Sequence, residues 1–109
     1  MAVRSKRLWG PTSVGTTAVV LYTCPAGETA LVKGVHAFNP GALGVTVTYT
    51  LNGTGNSNTI LTTSSSSGNI NTDREQWIVL HPGDVLRAVG SAGTTYVTGF
   101  GAELEGVAD

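Results

Sequence analysis

The sequence predicts an all-β fold, a single β-sandwich with jelly-roll-like wiring and about seven to eight antiparallel strands. Residues 45–51, Val-Thr-Val-Thr-Tyr-Thr-Leu, alternate without a fault between apolar and hydroxyl side chains. That period of two sets one strand face on a core and the other in water or on a polar neighbour. No window repeats apolar residues at helical spacing, and Gly, Thr and Ser, which favour helices poorly, are scattered throughout. Turn signals separate short apolar runs at close intervals, as sandwiches and jelly rolls require.

The elements follow in order. Residues 1–11 hold Arg4, Lys6, Arg7 and Trp9 and close on Gly10-Pro11. Their apolar content is too small to fold alone, so they are expected as an N-terminal arm, ordered only in an assembly, ahead of a sandwich domain over residues 12–109. The competing reading puts Leu8 and Trp9 in an edge strand of their own domain. Residues 16–23 read as a strand that ends at Cys24-Pro25-Ala26-Gly27, where Pro presets φ and Gly permits a positive one. Residues 29–39 follow and end at Asn39-Pro40-Gly41, and the two runs read as a hairpin. In residues 45–51, Val45, Val47, Tyr49 and Leu51 should face the core, and Thr46, Thr48 and Thr50 the outside. Residues 52–58 read as a polar loop, 59–63 as a short strand and 64–68 as a Ser-rich loop. Residues 76–80 are a strand with Trp77 in the core. His81-Pro82-Gly83-Asp84 suits a type II turn, residues 85–89 leave it, and residues 90–93 turn again. In the last strand, residues 94–104, one parity carries Tyr96, Thr98, Phe100, Ala102 and Leu104. The other carries Gly99, Gly101 and Glu103, and two glycines on one face mark a bulge or another backbone pressed close.

The chain has 109 residues, enough for one domain, and only 12% of them are charged, against about 25% in ordinary globular proteins. With a net charge of −1 it has little to keep copies apart, so association is expected. The single Cys24 has no internal disulfide partner and no base beside it, and reads as a small buried hydrophobe. No apolar run is long enough to span a membrane. The basic start lacks the apolar stretch of a secretory signal, so synthesis and residence in the cytoplasm are expected.

His36 and His81 stand far apart, and Val35-His36-Ala37-Phe38 lacks the paired His of a cupin metal motif. No Gly-x-Ser-x-Gly elbow appears, and Gly53-Thr54-Gly55 lacks the Lys-Ser/Thr ending of a phosphate loop. Asp73, Glu75 and Asp84 show no spacing that makes an acid pair, and Asn52-Gly53-Thr54 reads as a turn rather than a glycosylation site. The expectation is a non-enzymatic protein with no catalytic residue, cofactor or metal. The candidate partner-binding residues are Arg4, Lys6, Arg7 and Trp9, which combine charge to steer with an aromatic to bury. Because the rest of the chain is net acidic, their target is read as a protein surface rather than nucleic acid or membrane. Glu103, Glu105 and Asp109 at the other end suit head-to-tail contacts between copies.

The segment from Leu21-Tyr22-Thr23-Cys24-Pro25-Ala26-Gly27 through Lys33, His36 and Asn39 resembles one found in small structural proteins of tailed bacteriophages. There, a strand ending in Leu-Tyr-Thr meets a Pro-Ala-Gly turn and then a strand carrying a Lys and a His. Leu80-His81-Pro82-Gly83-Asp84-Val85-Leu86 resembles a second turn of the same proteins, and the likeness spans roughly residues 16–104. Cys24 stands where a small aliphatic such as Val is more usual. The resemblance implies a virion β-sandwich without catalytic residues, expected as a capsid decoration protein that binds the major capsid protein and itself as a homotrimer. A small tail or head-fibre protein is the alternative. A carbohydrate-binding β-sandwich module, whose signature would be exposed aromatics, is the second.

Overall fold

The computed structural model describes residues 3–41, 44–65, 70–73 and 78–105. It is a two-sheet sandwich of nine strand segments: β1 (Val3–Val14), β2 (Val19–Thr23), β3 (Glu28–Phe38), β4 (Val45–Leu51), β5 (Thr59–Ser65), β6 (Ile70–Asp73), β7 (Ile78–Leu80), β8 (Val85–Gly90) and β9 (Thr95–Glu105). The first sheet runs β1-β9-β3 and then β6 and β7, and the second runs β2-β8-β4-β5. Since β9 occupies one edge of β3, β6 and β7 share the other, against residues 35–38 and 30–32, and fill one strand position. The nine segments therefore fill eight positions, four in each sheet. Every pairing is antiparallel. Among the described residues the helical content is one 3-10 turn, Asn56–Asn58.

The ladder pairs β1 with β9, β2 with β8, β3 with β6 and β7, and β4 with β5. The chain is thus one long antiparallel ribbon, doubled at the loop after β4 and wrapped so that its successive strand pairs alternate between sheets, which is the wiring of a jelly roll. That wiring corrects the expected hairpin of residues 16–23 and 29–39. The Cys24–Gly27 turn carries the chain across the sandwich, and β2 and β3 lie in different sheets. β6 lies in a stretch where no strand was expected. Trp77 falls outside the described residues.

The core lies between the sheets. Val14, Val32, Val35, Ala37 and Val97 of the first meet Leu21, Val47, Tyr49, Leu86 and Ala88 of the second. Tyr49 is fully buried, with its hydroxyl 3.2 Å from Thr63 Oγ1, so its polar end is satisfied inside. The alternation of β4 holds from Val45 to Tyr49. It fails at Thr50, expected outside but buried, where the β4–β5 register slips and leaves Ile60 bulged and partly exposed.

The N-terminal residues are not a free arm. From Val3 onward they form β1, paired along β9 from Leu104 to Thr95, with Leu8 and Trp9 buried. The glycines of β9 explain why. A Cβ on Gly99 would run into the Trp9 ring, so the missing side chain is the seat of the tryptophan. A Cβ on Gly101 would run into the backbone of Leu31, beside a register slip between Val32 and Gly34. The two glycines thus mark both expected features, a close backbone and a bulge.

Two substitutions test this account. Trp9→Ala should lower stability by about 3–5 kcal/mol in urea unfolding, the cost of emptying a large buried aromatic site. A free arm would show almost no change. Gly101→Ala should cost about 1–3 kcal/mol, because the carbonyl it meets is backbone and has no rotamer to escape into.

Candidate functional site

β1 places Arg4 and Lys6 beside Glu103 of β9. Arg4 lies 2.7 Å from Glu28, 3.3 Å from Glu103 and 3.4 Å from Glu105, and Lys6 lies 3.2 Å from Glu103. Tyr22, reaching over from β2 in the second sheet, donates its hydroxyl to the other Glu103 oxygen. Glu103 is buried, 4% exposed, and has a partner for each oxygen, whereas the Arg4 side chain is 42% exposed. Glu103 and Glu105 and the basic start therefore meet within one molecule, and Asp109 lies outside the described residues. Of the four residues singled out, Arg4 and Lys6 hold the strand ends together, Trp9 is core, and Arg7 is exposed opposite Phe100.

The Tyr22 hydrogen bond, then Lys6 and Arg4, hold the Glu103 carboxyl below its ordinary value against the burial that would raise it. Burial, then the Glu103 hydrogen bond and charge, push the Tyr22 phenol well above its ordinary range, so it remains a donor.

A second cluster joins the turns at this end of the sandwich. Cys24 N–H donates to Asp84 O at 2.9 Å and Gly83 N–H to Cys24 O at 3.0 Å, locking the two Pro-Gly turns side by side. Gly27 and Gly83 take φ of 76° and 86°, the left-handed values that such turns need at their third position. Asp84 accepts from His81 N–H and Asn52 Nδ2, both at 2.9 Å, which lowers its pKa. Asn52 Oδ1 in turn accepts from Val85 N–H at 2.8 Å. The Cys24 thiol is buried, points at the carbonyls of Glu28 and Leu80, and is raised in pKa chiefly by burial. These residues build a corner. Among the described residues no three of His, Cys, Asp and Glu gather as metal ligands would, and no helix is long and apolar enough to cross a membrane.

The surface suited to binding is the outer face of the first sheet. Cross-strand register aligns Val79, Leu31, Ala102 and Ser5 in one row, and Phe38, Tyr96 and Ser13 in another, with Phe100 and Leu104 along β9. Val79 and Tyr96 are 46% and 42% exposed. At the end away from the charge cluster, Pro11, His36, Phe38, Tyr96 and Thr98 line a shallow, mostly apolar concavity of about 430 Å³. The second sheet differs: its outer face carries Thr46, Thr48, Thr62 and Ser64, with Thr46 Oγ1 3.2 Å from Ser64 Oγ, beside Val20 and Arg87. This apolar face was not among the expected site residues. The signal for it was the parity of residues 94–104: with glycines facing inward to admit Trp9, the aromatics were left to face out.

The charge cluster sets a pH dependence. Because the folded pKa of Glu103 is depressed, its contribution is present above the ordinary carboxylate range and is lost as pH falls through the depressed value. Glu103→Gln should therefore melt lower than wild type near pH 7, and the gap should narrow once pH falls below the ordinary carboxylate range and close as pH passes through the depressed value. Tyr22→Phe should cost about 1–2 kcal/mol at neutral pH, the price of one hydrogen bond to a buried charge, read from the same melts.

Compared with known proteins, the chain matches no family model, no curated protein and no solved structure.

Proposed function

We propose that this chain is a non-enzymatic structural protein of a tailed-bacteriophage virion, a capsid decoration protein that binds the outer head surface as a homo-oligomer, expected as a trimer, and stabilises it. The observation that carries the reading is the outer face of the first sheet, where Leu31, Phe38, Val79, Tyr96, Phe100 and Leu104 lie outside the core. An antiparallel sheet in water keeps a polar outer face, and large exposed apolar patches mark interaction surfaces. A chain with 12% charged residues adds little repulsion to oppose contact. The resemblance of residues 21–39 and 80–86 to phage structural proteins supplies the setting. Its partners on this reading are the major capsid protein and further copies of itself, in the virion, after synthesis in the host cytoplasm. Arg4 and Lys6 are already paired with carboxylates, which disfavours nucleic acid and anionic membrane as targets. Many copies on a closed shell need only modest affinity each. A tail or head-fibre position is the variant of this reading.

A second reading is favoured by one feature. Exposed Tyr96 beside Phe38 and Pro11, with His36 and Thr98 at hand, is the aromatic-plus-polar setting in which a sugar ring stacks.

Co-sedimentation with heads of the parent phage, freed of this protein, separates the readings. Decoration predicts saturable binding and heads that resist heating better. Binding to purified tails alone moves the protein to the tail. Binding to neither, with saturable quenching of tyrosine emission by oligosaccharide, replaces both with the sugar-binding reading.

A further inference from the structure

We infer that the outer face of the first sheet is a homotypic interface, the surface by which copies of this chain meet. The inference deepens the proposed function in taking the chain for one that assembles, but it needs no capsid. Leu31, Phe38, Val79, Tyr96, Phe100 and Leu104 all lie on this face, and none belongs to the core cluster or its partly buried fringe. The face is therefore a second apolar layer, separate from the one that folds the domain.

Its size fits a copy of itself. Four strand positions about 4.8 Å apart, in strands of up to 11 residues, give a face on the order of 700 Å². A standard protein interface buries about 800 Å² on each partner. Sheets also pack well on sheets, about 10 Å apart with interleaved side chains, so the best complement to a flat, aliphatic and aromatic sheet face is another like it. The same chain supplies one at equal concentration. The concavity at Pro11, Phe38 and Tyr96 offers a seat for a large side chain from the facing copy.

The charges on this face fix the salt dependence. Among the described side chains, the one that register sets on this face is Arg7, on the edge strand opposite Phe100 and exposed. Long basic side chains can lay their stems on apolar surface and keep their heads in water. Between two copies the like charges repel, so added salt should strengthen self-association. A partner that covered the face with carboxylates would bind more weakly as salt rises.

Sedimentation equilibrium of the full chain, from low to high salt, tests this. Expected are a mass of more than one chain, tighter association at high salt, and loss of roughly tenfold or more in association constant for Tyr96→Glu and Val79→Glu. Both positions are more than 40% exposed, so the variants should keep the circular dichroism spectrum and cooperative melt of a folded monomer. Val20→Glu, on the outer face of the second sheet and 52% exposed, should associate like wild type. A wild-type chain that stays monomeric at the highest concentration reached would overturn the inference. So would an oligomer broken by Val20→Glu and untouched by Tyr96→Glu. A monomer that still binds heads sinks this inference and the homo-oligomeric part of the proposed function, and spares its capsid binding. An oligomer dispersed by Tyr96→Glu that binds no head does the reverse.

Discussion

The structure depends on the pairing of the first strand with the last. β9 lies between β1 and β3 over nearly its whole length, so the strand that completes the chain is central to the first sheet. Its partner in β1 lies about 80 residues away at one end of the ladder and 100 at the other, and closing so long a loop carries an entropic cost before any contact offsets it. The compensation is concentrated along this one ladder. The Trp9 ring fills the gap left by Gly99, and the bulge of β3 presses into the one left by Gly101. Arg4 and Lys6 close on Glu103, which Tyr22 also reaches from the second sheet. A buried carboxylate is costly alone, but this one has an opposite charge and a hydrogen bond on its oxygens, and so pins both sheets at one end. Most of the contacts are between residues distant in sequence, which places the fold among those that form slowly.

The same ladder decides what the surface looks like. A strand has two faces, and β9 gives its inward face to glycines and to Glu103. Its apolar residues, apart from Val97, therefore stand outside. In the second sheet β4 has the ordinary division, Val45, Val47 and Tyr49 in and Thr46 out, where Thr46 Oγ1 meets Ser64 Oγ, although Val20 and Ile60 are exposed on this sheet as well. Two sheets of one domain thus meet their surroundings with different chemistry. On the assembly reading, the first sheet is an inner layer of a larger object and the second is the side that faces solvent.

The strands and turns were legible in the sequence, because each is written locally. The alternation of residues 45–51 gave β4 up to the bulge, and the Pro-Gly pairs gave the turns at Gly27 and Gly83 with their positive φ. The pairings were not legible, because they are not local. A Pro-Ala-Gly turn between two β-rich runs serves a hairpin and a crossover equally, and only the strand that fills the space between, β9 beside β3 and β8 beside β2, decides which. The N-terminal strand was hidden for a related reason. Judged by its own composition it lacks the apolar residues to fold, and its stability comes from gaps and a carboxylate some 90 to 100 residues further on. Both ends of that contact stand in the sequence, the two glycines of β9 and the opposite charges of Arg4 and Lys6 and of Glu103, but nothing local joins them.

The residues that carry the resemblance to phage proteins are largely the residues the fold itself demands. Cys24 fills the corner, Gly27 and Gly83 meet the φ of their turns, and Asp84 ties the second turn to Asn52 and His81. Residues that a fold demands speak for architecture, and architecture alone is compatible with many activities. What a protein of this kind does must be read from groups that folding does not require. Here those are Tyr96, Phe38, Val79 and their neighbours, which no turn, cap or core contact calls for and which water alone would not favour. On the assembly reading, an apolar surface of this kind is explained by what covers it, and the outer face of the first sheet is the candidate for that contact.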